Sequence, residues 1–448
     1  MKIALSIAGS DSGAGAGIQA DLKMFSALRV YGCTAITAIT AQNTKDVSKI
    51  FEVSPSIVEQ QIRSVMTDMP PNAIKIGMVY SNAIIEAVYR SVKKTSQIPI
   101  VLDPILAAGT GAKLLRSDAY KSFVSKLIPL STLITPNRME AEKLAGIIIK
   151  TENDAIEAAK KIWKLGAENV LIKGGHVGSA EVTDILLDTT GNITKFTNPR
   201  VEVRELHGSG CNFSSAVAAY LAKGIILSEA CKMANEYVHV AIKNSTKIGK
   251  GLPIANPLSV IYREADSYRV LVELQQAVEQ LSTLDRFSSL IPETQTNFAY
   301  ALSNAANISD VAAVRGRIIR VENFAVPASY IKFGASSHVA SAVIAYMSVN
   351  PDFRCAINIR FDDSIISMCK SLFSVSSYDR SQEPKTIKSR EGSSVAWGVV
   401  AALSKNRLAD VIYHRGDVGK EPMITVFGRN PAEVVDKIKL LLKNYESA

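Results

Sequence analysis

Cysteine is scarce in this sequence, and long hydrophobic runs are absent. The five cysteines among 448 residues are an odd number, and no two of them form a C-x-x-C pair. These features argue against a disulfide framework or a zinc knuckle, and they suit a reducing compartment. No stretch reaches the ~18 apolar residues that a bilayer span requires, since even the run from Ser214 to Leu227 is interrupted by Lys223 and Gly224. We therefore expect a cytoplasmic protein without a membrane span.

The charge pattern lacks the marks of a nucleic-acid-binding protein. The formal net charge is +9, but the lysines and arginines are scattered and form no basic run. Charged residues make up 21% and hydrophobic residues 47% of the chain, which excludes a disordered protein. We expect small phosphorylated substrates as partners, with no nucleic acid and no membrane.

Short apolar runs alternate with amphipathic helical patterns from Ile3 to Ile242. Runs that are apolar throughout are typical of strands covered on both faces. Helix starts are indicated at Ser54-Pro55, at Thr151 and at Ser228. The alternation predicts an α/β fold with a doubly wound, mostly parallel sheet, in which ligands bind at the carboxyl ends of strands. The predicted strands are Ile3–Ala8, Thr34–Ala41, Ala73–Ile76, Pro99–Asp103, Thr132–Thr135 and Asn169–Lys173.

A glycine- and proline-rich segment, 249–257, marks the predicted boundary between two domains. The chain is long enough for two or three domains of ~100–200 residues each. Beyond the segment, a new helical pattern places Val270, Leu274 and Leu281 on one face, and the final helix begins at Asn430-Pro431. We predict a first domain at 1–256 and a second, smaller α/β domain at 265–448, joined by a linker with few contacts.

Two glycine-containing segments of the first domain are candidates for phosphate binding. Residues 9–17 follow the first strand, but they match neither G-x-G-x-x-G nor a Walker A loop. Residues 207–212 lead into a helix of small residues, and their successive amides could form an anion hole. Cys211 lies where the helix dipole is expected to lower a thiol pKa. A tight structural turn and a buried structural cysteine are the alternatives.

Polar side chains follow several of the predicted strands. Asp103 ends one strand, Asn137 follows the next with Glu140 one turn later, and Lys173 ends a third before Gly174-Gly175-His176. Carboxylate and amide oxygens suit Mg²⁺ that is bound partly through water and phosphate oxygens. Lys173 offers a cation to nucleotide phosphates. Each of these residues, taken alone, also has a structural explanation.

Together these motifs closely resemble hydroxymethylpyrimidine and hydroxymethylpyrimidine-phosphate kinases, a branch of the ribokinase-like superfamily. The resemblance covers residues 1 to about 255, and the order and spacing of its blocks make it specific. The blocks are AGSDSGAGAGIQADLK (8–23), TAITAQNT (37–44), KIGM (75–78), VLDP (101–104), TPNRMEAE (135–142), KGGH (173–176) and HGSGC (207–211).

The resemblance implies a role for each motif residue. A pyrimidine pocket is implied at Asp11, Gln42 and Met78. An anion hole is implied at Gly208 to Cys211, with Gly208, Gly210 and Cys211 as catalytic residues. Mg²⁺ and ATP are implied at Asp103, Asn137, Glu140 and Lys173, with Asp103 and Glu140 as the metal ligands. Asn212 departs from the family's usual threonine, and the motifs do not separate a pyrimidine substrate from pyridoxal.

The second domain is rich in arginine near its predicted strands. Arg315, Arg317 and Arg320 lie in one short segment, and a Gly-Ala-Ser-Ser sequence precedes His338 at a helix start. Arginines make bidentate contacts with phosphates, and a helix start supplies backbone amides. Further polar candidates are Asn358, Arg360, Asp379 and Arg380. A solvated, structural role is the alternative for any one of these side chains.

This half resembles the archaeal-type thiamine-phosphate synthase (ThiN) domain. The matching blocks are DVAAVRGRIIRV (310–321), FGASSHVA (333–340), AINIRF (356–361), SSYDRSQEP (376–384), EGSSVAWGV (391–399) and GDVGKEPMITVFG (416–428). The resemblance implies that Arg320 and His338 contact the diphosphate or the thiazole phosphate, with Asn358, Arg360, Asp379 and Arg380 as second choices. The same domain also occurs as a ligand sensor in transcription regulators, but no helix-turn-helix is apparent here.

The two resemblances together predict a bifunctional enzyme of thiamine biosynthesis. The first domain would phosphorylate 4-amino-5-hydroxymethyl-2-methylpyrimidine and then its monophosphate, and the second would join the diphosphate to thiazole phosphate with release of pyrophosphate. One alternative is a pyridoxal-type kinase fused to a non-catalytic sensor of thiamine phosphate. Another is a kinase whose second domain only mediates assembly. The kinase resemblance also implies a homo-oligomer, such as a dimer.

Overall fold

The structure, a computed structural model, divides the chain into two compact units. They are Met1–Ile261 and Tyr262–Ala448, here called unit 1 and unit 2. Each unit combines a sheet with helices around hydrophobic cores of its own, so the predicted α/β class is confirmed for both. Among the residues described, no helix is long and apolar enough to cross a membrane. The structure describes residues 1–95, 97–107, 111–174, 180–202, 206–384, 387, 393–417 and 420–445.

The sheet of unit 1 has nine strands in the described ranges. These are β1 (Ile3–Asp11), β2 (Tyr31–Gln42), β3 (Val47–Glu52), β4 (Ala73–Ile76), β5 (Ile100–Leu102), β6 (Leu133–Ile134), β7 (Val170–Ile172), β8 (Glu181–Leu187) and β9 (Ile193–Pro199). Their order is β3-β2-β1-β4-β5-β6-β7-β8-β9. The strands from β2 to β7 in that order run parallel, whereas β3, β8 and β9 pair antiparallel at the two edges. The mostly parallel sheet is therefore confirmed.

All of the predicted strands of unit 1 are present, and only the antiparallel strands β3, β8 and β9 were not predicted from the sequence. The central strands β4, β5, β6 and β7 are buried at every residue, which explains their apolar runs. By contrast, β9 exposes most of its residues, so it has no apolar run to reveal it.

Helices cover both faces of this sheet. They are α1 (Gly17–Ala27), α2 (Pro55–Asp68), α3 (Asn82–Val92), α4 (Tyr120–Ser122, continued by a π-helical turn at Phe123–Leu127), α5 (Arg138–Ala145), α6 (Glu152–Trp163), α7 (Ser209–Ala222) and α8 (Leu227–Lys243). The predicted starts at Ser54-Pro55 and Thr151 are confirmed. The predicted start at Ser228 is wrong, because α8 already begins at Leu227 and the preceding Ile226 makes no side-chain cap.

The 249–257 segment is integrated into unit 1, so the expectation of a linker with few contacts is wrong. The Leu252 amide donates to the Thr44 carbonyl oxygen at 2.9 Å, and the His207 amide donates to the Pro253 carbonyl oxygen at 2.9 Å. Gly251 packs so closely on Thr44 that a Cβ there would overlap the Thr44 backbone. Glycine and proline therefore serve close packing here rather than flexibility.

Unit 2 contains a seven-stranded sheet and a separate hairpin in its described part. The strands are β10 (Phe298–Ala301), β11 (Val311–Val314), β12 (Ile318–Val321), β13 (Phe324–Pro327), β14 (Ile331–Phe333), β15 (Cys355–Arg360), β16 (Val375–Ser377), β17 (Val411–His414) and β18 (Met423–Gly428). The sheet order is β14-β11-β10-β15-β18-β17-β16, and β12 and β13 form a separate two-stranded sheet. Of its neighbouring pairs only β16 and β17 are parallel.

Helices pack on this sheet to form two further hydrophobic clusters. The helices are α9 (Ser259–Thr283), α10 (His338–Met347), α11 (Asp363–Leu372), α12 (Ser393–Lys405) and α13 (Pro431–Tyr445). The predicted face of α9 is confirmed, since Val270, Leu274 and Leu281 are all buried. The predicted start of α13 is confirmed as well, because the Asn430 side chain accepts from the Glu433 amide at 2.9 Å.

Candidate active sites

The start of α7 is built against the glycine-rich loop of residues 9–17. Gly208 precedes the helix with a left-handed φ of +84°, and a Cβ there would overlap the Gly15 carbonyl oxygen. A Cβ on Gly15 would in turn overlap the His207 ring. Only glycine permits this approach, so the two loops predicted to bind phosphate form a single surface. The first amides of α7 have no intrahelical partner and are available to an anion.

Asp11 and Gln42 meet at His207, next to this surface. The Asp11 carboxylate accepts from the amides of Gly15 and Ala16 at 3.0 and 2.8 Å. His207 Nε2 lies 3.2 Å from Asp11 Oδ2 and 3.1 Å from Gln42 Nε2. Burial works to raise the pKa of Asp11, but the hydrogen bonds from His207 and the loop amides outweigh it, so the pKa is lowered. Asp11 is thus an ionised acceptor that organises the loop.

Met78 follows β4, which is a neighbour of β1 in the sheet. It is buried with Ala38 and Leu114 in a small cluster, and its sulfur would be 2.9 Å from a Cβ on Gly9. The structure therefore brings Asp11, Gln42 and Met78 around the carboxyl ends of β1 and β2. His207 had no separate role in the sequence-based prediction, although it begins the HGSGC block and joins the other two polar residues.

A buried ion pair lies directly beneath the start of α7. Lys173 Nζ is 3.2 Å from Asp103 Oδ1, and Ser214 of α7 donates to Asp103 Oδ2 at 3.2 Å. A Cβ on Gly210 would lie 3.0 Å from Lys173 Nζ. Burial opposes the charge on Lys173, but the carboxylates of Asp103 and Glu140 outweigh it and raise its pKa. A fixed ammonium group and the free amides of a helix thus converge on one point.

Asn137 and Glu140 form a capping box at the start of α5. The Asn137 side chain accepts from the Glu140 amide at 2.9 Å, and the Asn137 amide donates to Glu140 Oε2 at 2.8 Å. Burial raises the pKa of Glu140 to about 7, with Lys173 opposing this shift and Asp103 adding to it. Glu140 is therefore close enough to Asp103 and Lys173 to share their electrostatic environment.

The expected lowering of the Cys211 pKa is wrong. Cys211 is buried in the first turn of α7, and burial raises the pKa of its thiol to about 12. The Lys75 ammonium works in the opposite direction, but the carboxylates of Asp103 and Asp21 offset it. Desolvation therefore outweighs the helix dipole, and the group is a neutral thiol. The alternative of a buried cysteine describes its environment correctly, whatever its role.

Beneath Cys211 lies a polar network that was not predicted from the sequence. Lys75 Nζ is 2.9 Å from Asp21 Oδ2, and both side chains are fully buried. Ser215 of α7 donates to Asp21 Oδ1 at 2.6 Å, and Ser6 of β1 donates to Asp21 Oδ2 at 2.5 Å. The network ties α7 to α1, β1 and β4. A lysine inside the apolar strand AIKI was the signal that could have revealed it, because a buried charge needs a partner.

In unit 2, three strands end at the same edge of the sheet. β17 is parallel to β16 and antiparallel to β18, which is antiparallel to β15, so β15, β16 and β17 all point the same way. Arg360 ends β15 and His414 ends β17, with both paired to Met423 of β18 between them. We call this side of the sheet the arginine edge. The Arg360 Nε atom is buried and has no hydrogen-bond partner among the described residues.

Arg380 and Glu383 lie on a short turn that follows β16 at the arginine edge. Both are buried, yet their nearest charged atoms are 3.8 Å apart. Within the described ranges, Arg380 Nε and Glu383 Oε1 have no hydrogen-bond partner. Burial and the charge of Arg380 lower the pKa of His414 to about 4, so this imidazole is neutral. Its Nδ1 accepts from the Gly416 amide at 3.1 Å, which leaves the proton on Nε2.

The other predicted residues of unit 2 divide between two edges. The amide of Arg320 donates to Gln295 Oε1 at 3.1 Å, and the Gln295 carbonyl oxygen accepts from the Asn358 side chain at 3.1 Å. This chain of bonds links Arg320 to Asn358 and so to the arginine edge. Asn358 also accepts from the Asn297 amide at 2.7 Å, which gives it a structural role. Asp379 is exposed and caps the turn at Arg380.

His338 is not brought together with these residues. It follows β14, whose residue Phe333 is level with Cys355, the first residue of β15, through the register across β11 and β10. Arg360 lies five residues farther along β15, roughly 16 Å at ~3.3 Å per residue. The exposed His338 therefore belongs to the opposite edge.

Some motif residues lie outside the described residues. They are Gly175 and His176 of the 173–176 block, residues 391 and 392 of the 391–399 block, and residues 418 and 419 of the last block.

Comparison with known proteins decides the family. A sequence model of phosphomethylpyrimidine kinases matches residues 11–256, more than half of the chain. The chain belongs to the phosphomethylpyrimidine kinase family. A second model, of the thiamine-phosphate synthase ThiN, matches residues 273–440. Two enzyme families are thus joined in one chain, and membership of a kinase family implies the use of ATP.

One relative matches the whole chain, and two others match little more than half of it. The bifunctional thiamine biosynthesis protein ThiDN of Methanocaldococcus jannaschii is 32% identical over 449 residues, which cover 99% of this chain and 99% of the relative. The bifunctional protein ThiED of Geobacter sulfurreducens is 42% identical over 247 residues, but these are 55% of this chain and only 50% of that protein. An ADP complex of Bacillus subtilis pyridoxal kinase is a structural neighbour with 35% identity and a TM-score of 0.54, covering 58% of this chain and 99% of its own.

Proposed function

We propose that this chain performs two consecutive reactions of thiamine biosynthesis. The kinase domain, 1–256, transfers phosphate from ATP to 4-amino-5-hydroxymethyl-2-methylpyrimidine and then to its monophosphate. The synthase domain, 265–448, joins the diphosphate to thiazole phosphate and releases pyrophosphate. The full-length similarity to ThiDN is the observation that carries this proposal, since it spans both units at once.

In the kinase domain, we assign the transferring phosphoryl group to the start of α7. The amides after Gly208 would stabilise its charge, and Gly210 keeps the approach to Lys173 open. Lys173 would neutralise negative charge on the ATP phosphates. Asp11, Gln42 and Met78 would bind the pyrimidine ring, because they surround the adjacent strand ends. Cys211 would act as a neutral thiol beside the reacting group, consistent with its raised pKa.

Mg²⁺ is assigned to Asp103 and Glu140, with Asn137 positioning Glu140. Among the described residues no group of three or more His, Cys, Asp and Glu side chains could hold a metal by themselves. Mg²⁺ commonly uses only one or two carboxylates together with water and phosphate oxygens, so the donor set fits this ion. Its contribution when bound would be to neutralise phosphate charge. The protein's part is to hold the two carboxylates beside Lys173.

In the synthase domain, we assign the phosphorylated groups to the arginine edge. Departure of pyrophosphate concentrates negative charge, which fixed cations and amides stabilise. Arg320, Arg360 and Arg380 meet this need, and the buried Nε atoms of Arg360 and Arg380, which have no partner among the described residues, retain unused hydrogen-bonding capacity. Asn358 and Asp379 would support these arginines. His338, the other leading candidate, would contact phosphate separately, at the start of α10.

The choice of acceptor tests the kinase assignment. With purified protein, ATP and Mg²⁺, we expect hydroxymethylpyrimidine and its monophosphate to be phosphorylated with a higher kcat/KM than pyridoxal. A preference for pyridoxal would favour a pyridoxal-type kinase fused to a sensor domain, the alternative function. We also propose a cytoplasmic homo-oligomer, and light scattering of the purified chain would reveal a monomer if that part is wrong.

A further inference from the structure

A buried carboxylate holds the backbone that follows Lys173. The Gly174 amide donates to Asp184 Oδ1 at 2.7 Å, across the pairing of β7 with β8. A Cβ on Gly174 would overlap the carbonyl oxygen of Thr183, so the backbone lies directly against β8. Because Gly174 is the next residue after Lys173, this bond fixes the point from which the lysine side chain extends.

Asp184 is held in turn by two amide side chains. Asp184 Oδ2 accepts from Asn235 Nδ2 of α8 at 2.8 Å. Asn235 Oδ1 accepts from Asn198 Nδ2 of β9 at 2.5 Å. Asp184 and Asn235 are nine-tenths buried or more. Asn198 thus donates to Asn235, and Asn235 and the Gly174 amide both donate to the Asp184 carboxylate; we call these four residues the relay.

None of the roles assigned above involves the relay. It nevertheless ends next to Lys173, the residue assigned to neutralise charge on the ATP phosphates. On its other side, Lys173 is held by a backbone bond to the Pro136 carbonyl oxygen at 2.9 Å and by Asp103 at 3.2 Å. Placing a charged group for phosphate binding requires its support to be fixed to within about half an ångström. The supporting bonds of Lys173 are those to Pro136 and Asp103 and, through Gly174, the relay.

We propose that Asp184 and Asn235 are positioning residues that hold Lys173 in place for the polyphosphate of ATP. This inference rests on the proposed role of Lys173. It makes nucleotide affinity in the kinase domain depend on a hydrogen-bond relay through α8 and β9, neither of which carries a motif of the family resemblance.

Hydrogen bonding, rather than the charge of Asp184, is the operative property. Burial raises the pKa of Asp184, and the opposing contributions are led by the Gly174 amide and Asn235, with Lys173 contributing least. In Asp184→Asn, the new amide group would face the Asn235 amide group, donor against donor. Turning Asn235 over would only move the same conflict to Asn198. Only a simultaneous turn of Asn198 would relieve the conflict, and that turn would bring Asn198 Oδ1 toward the Asn235 carbonyl oxygen, which Asn198 Nδ2 now faces at 3.5 Å.

Exchanging the two residues restores every bond. In the double variant Asp184→Asn, Asn235→Asp, the amide side chain introduced on β8 accepts from the Gly174 amide and donates to the carboxylate introduced on α8. That carboxylate also accepts from Asn198, so the charge moves to α8 while the pattern of donors and acceptors is kept. If nucleotide affinity recovers in the double variant, the hydrogen-bond pattern is what matters. An effect of the charge on β8, or of lost packing, would not be reversed by the second substitution.

The experiment compares four full-length proteins: wild type, Asp184→Asn, the exchanged double variant and Asp188→Asn. Asp188 lies half-buried in the turn between β8 and β9 and outside the relay, so its variant controls for loss of a carboxylate in the same hairpin. Affinity for a non-hydrolysable ATP analogue is measured by calorimetry, and KM and kcat by phosphorylation of hydroxymethylpyrimidine. We expect Asp184→Asn to weaken nucleotide affinity about tenfold, the effect of losing a buried hydrogen bond, with a smaller change in kcat. The double variant should return to within about threefold of wild type.

Each outcome either supports or contradicts the proposed positioning role of Asp184 and Asn235. A folded Asp184→Asn protein with wild-type affinity would overturn the inference, and so would a folded double variant that does not recover. If Asp184→Asn does not fold, Asn235→Ala removes the two side-chain bonds of Asn235 but keeps the bond from Gly174 to Asp184, and it should weaken affinity by about threefold. Unchanged affinity in that variant would likewise overturn the inference. If the wild type binds the nucleotide but phosphorylates no pyrimidine, the proposed function fails while the affinity comparison still tests the relay.

Discussion

The thiol of Cys211 is kept neutral by burial, and this gives a direct pH prediction. With a pKa raised to about 12, the thiol form persists across the neutral range, and the reactive thiolate increases only as the pH approaches that value. In native protein, alkylation of the peptide that carries Cys211 should therefore stay slow up to pH ~9, as followed by mass spectrometry. A rate that reaches half its maximum near neutral pH would contradict a buried, neutral thiol.

The proposed role of Cys211 in phosphoryl transfer is tested by substitution. Cys211→Ala should lower phosphorylation of hydroxymethylpyrimidine by ~10²-fold or more, the scale of losing an activating group. Formation of thiamine phosphate from supplied diphosphate should be unchanged, which provides the control within the same protein. Wild-type kinase rates in this variant would make Cys211 a structural residue only.

Individual site residues could be predicted from the sequence where strand ends determine their position. Asp103 and Lys173 follow β5 and β7, two parallel strands separated only by β6, so their convergence is a consequence of topology. The pKa of Cys211 could not be predicted, because it depends on how deeply α7 is buried. Arg380 could be named from its motif, but the burial of its Nε atom and of Glu383 Oε1, without a hydrogen-bond partner among the described residues, is visible only in three dimensions.

Among the secondary-structure elements, α7 depends on glycine at its start. Gly208 and Gly224 both have left-handed φ values, +84° and +85°, but only Gly208 has a neighbour where a Cβ would lie. Gly224→Ala should cost about 1 kcal/mol of stability from backbone strain alone. Gly208→Ala should lose more stability in thermal melts and most kinase activity, because the new Cβ pushes the 9–17 loop away. Equal effects of the two substitutions would show that this close approach is unimportant.

The sheet of unit 2 separates the two leading candidates for synthase catalysis. Arg320→Ala should lower thiamine-phosphate formation by ~10²-fold or more and Arg320→Lys should recover little, since lysine lacks the bidentate fork. His338→Ala tests the opposite edge, where we expect a loss only if substrate phosphate reaches the start of α10. Kinase activity measures folding in each variant, and Arg315→Ala controls for loss of charge in the same segment. If Arg320→Ala retains full thiamine-phosphate formation while His338→Ala loses it, the synthase site lies at the His338 edge of the sheet instead.

Elements with a clear hydrophobic pattern could be predicted, and those without one could not. The buried strands β4 to β7 and the face of α9 followed from apolar periodicity. The antiparallel strands β8 and β9 and the antiparallel order of unit 2 depend on long-range pairing, which local pattern does not encode. That order is what separates Arg320 from His338.

The whole chain consists of two units with separate cores, so its kinase domain should function alone. The 249–257 segment packs within unit 1, and a fragment ending at Leu258 retains all of its hydrogen bonds to Thr44 and His207. We expect this fragment to unfold cooperatively and to phosphorylate hydroxymethylpyrimidine at nearly the rate of the full chain. An insoluble or molten fragment would mean that unit 1 requires the second unit to fold.

The most direct measurement of bifunctionality is product formation by the full chain in one reaction. Purified protein is incubated with hydroxymethylpyrimidine, ATP, Mg²⁺ and thiazole phosphate, and all pyrimidine species are quantified over time by mass spectrometry. We expect the monophosphate and diphosphate as successive intermediates, followed by thiamine phosphate and pyrophosphate in equal amounts. Accumulation of the diphosphate without any thiamine phosphate, in a protein that nevertheless binds thiamine phosphate, would contradict bifunctionality and identify unit 2 as a sensor.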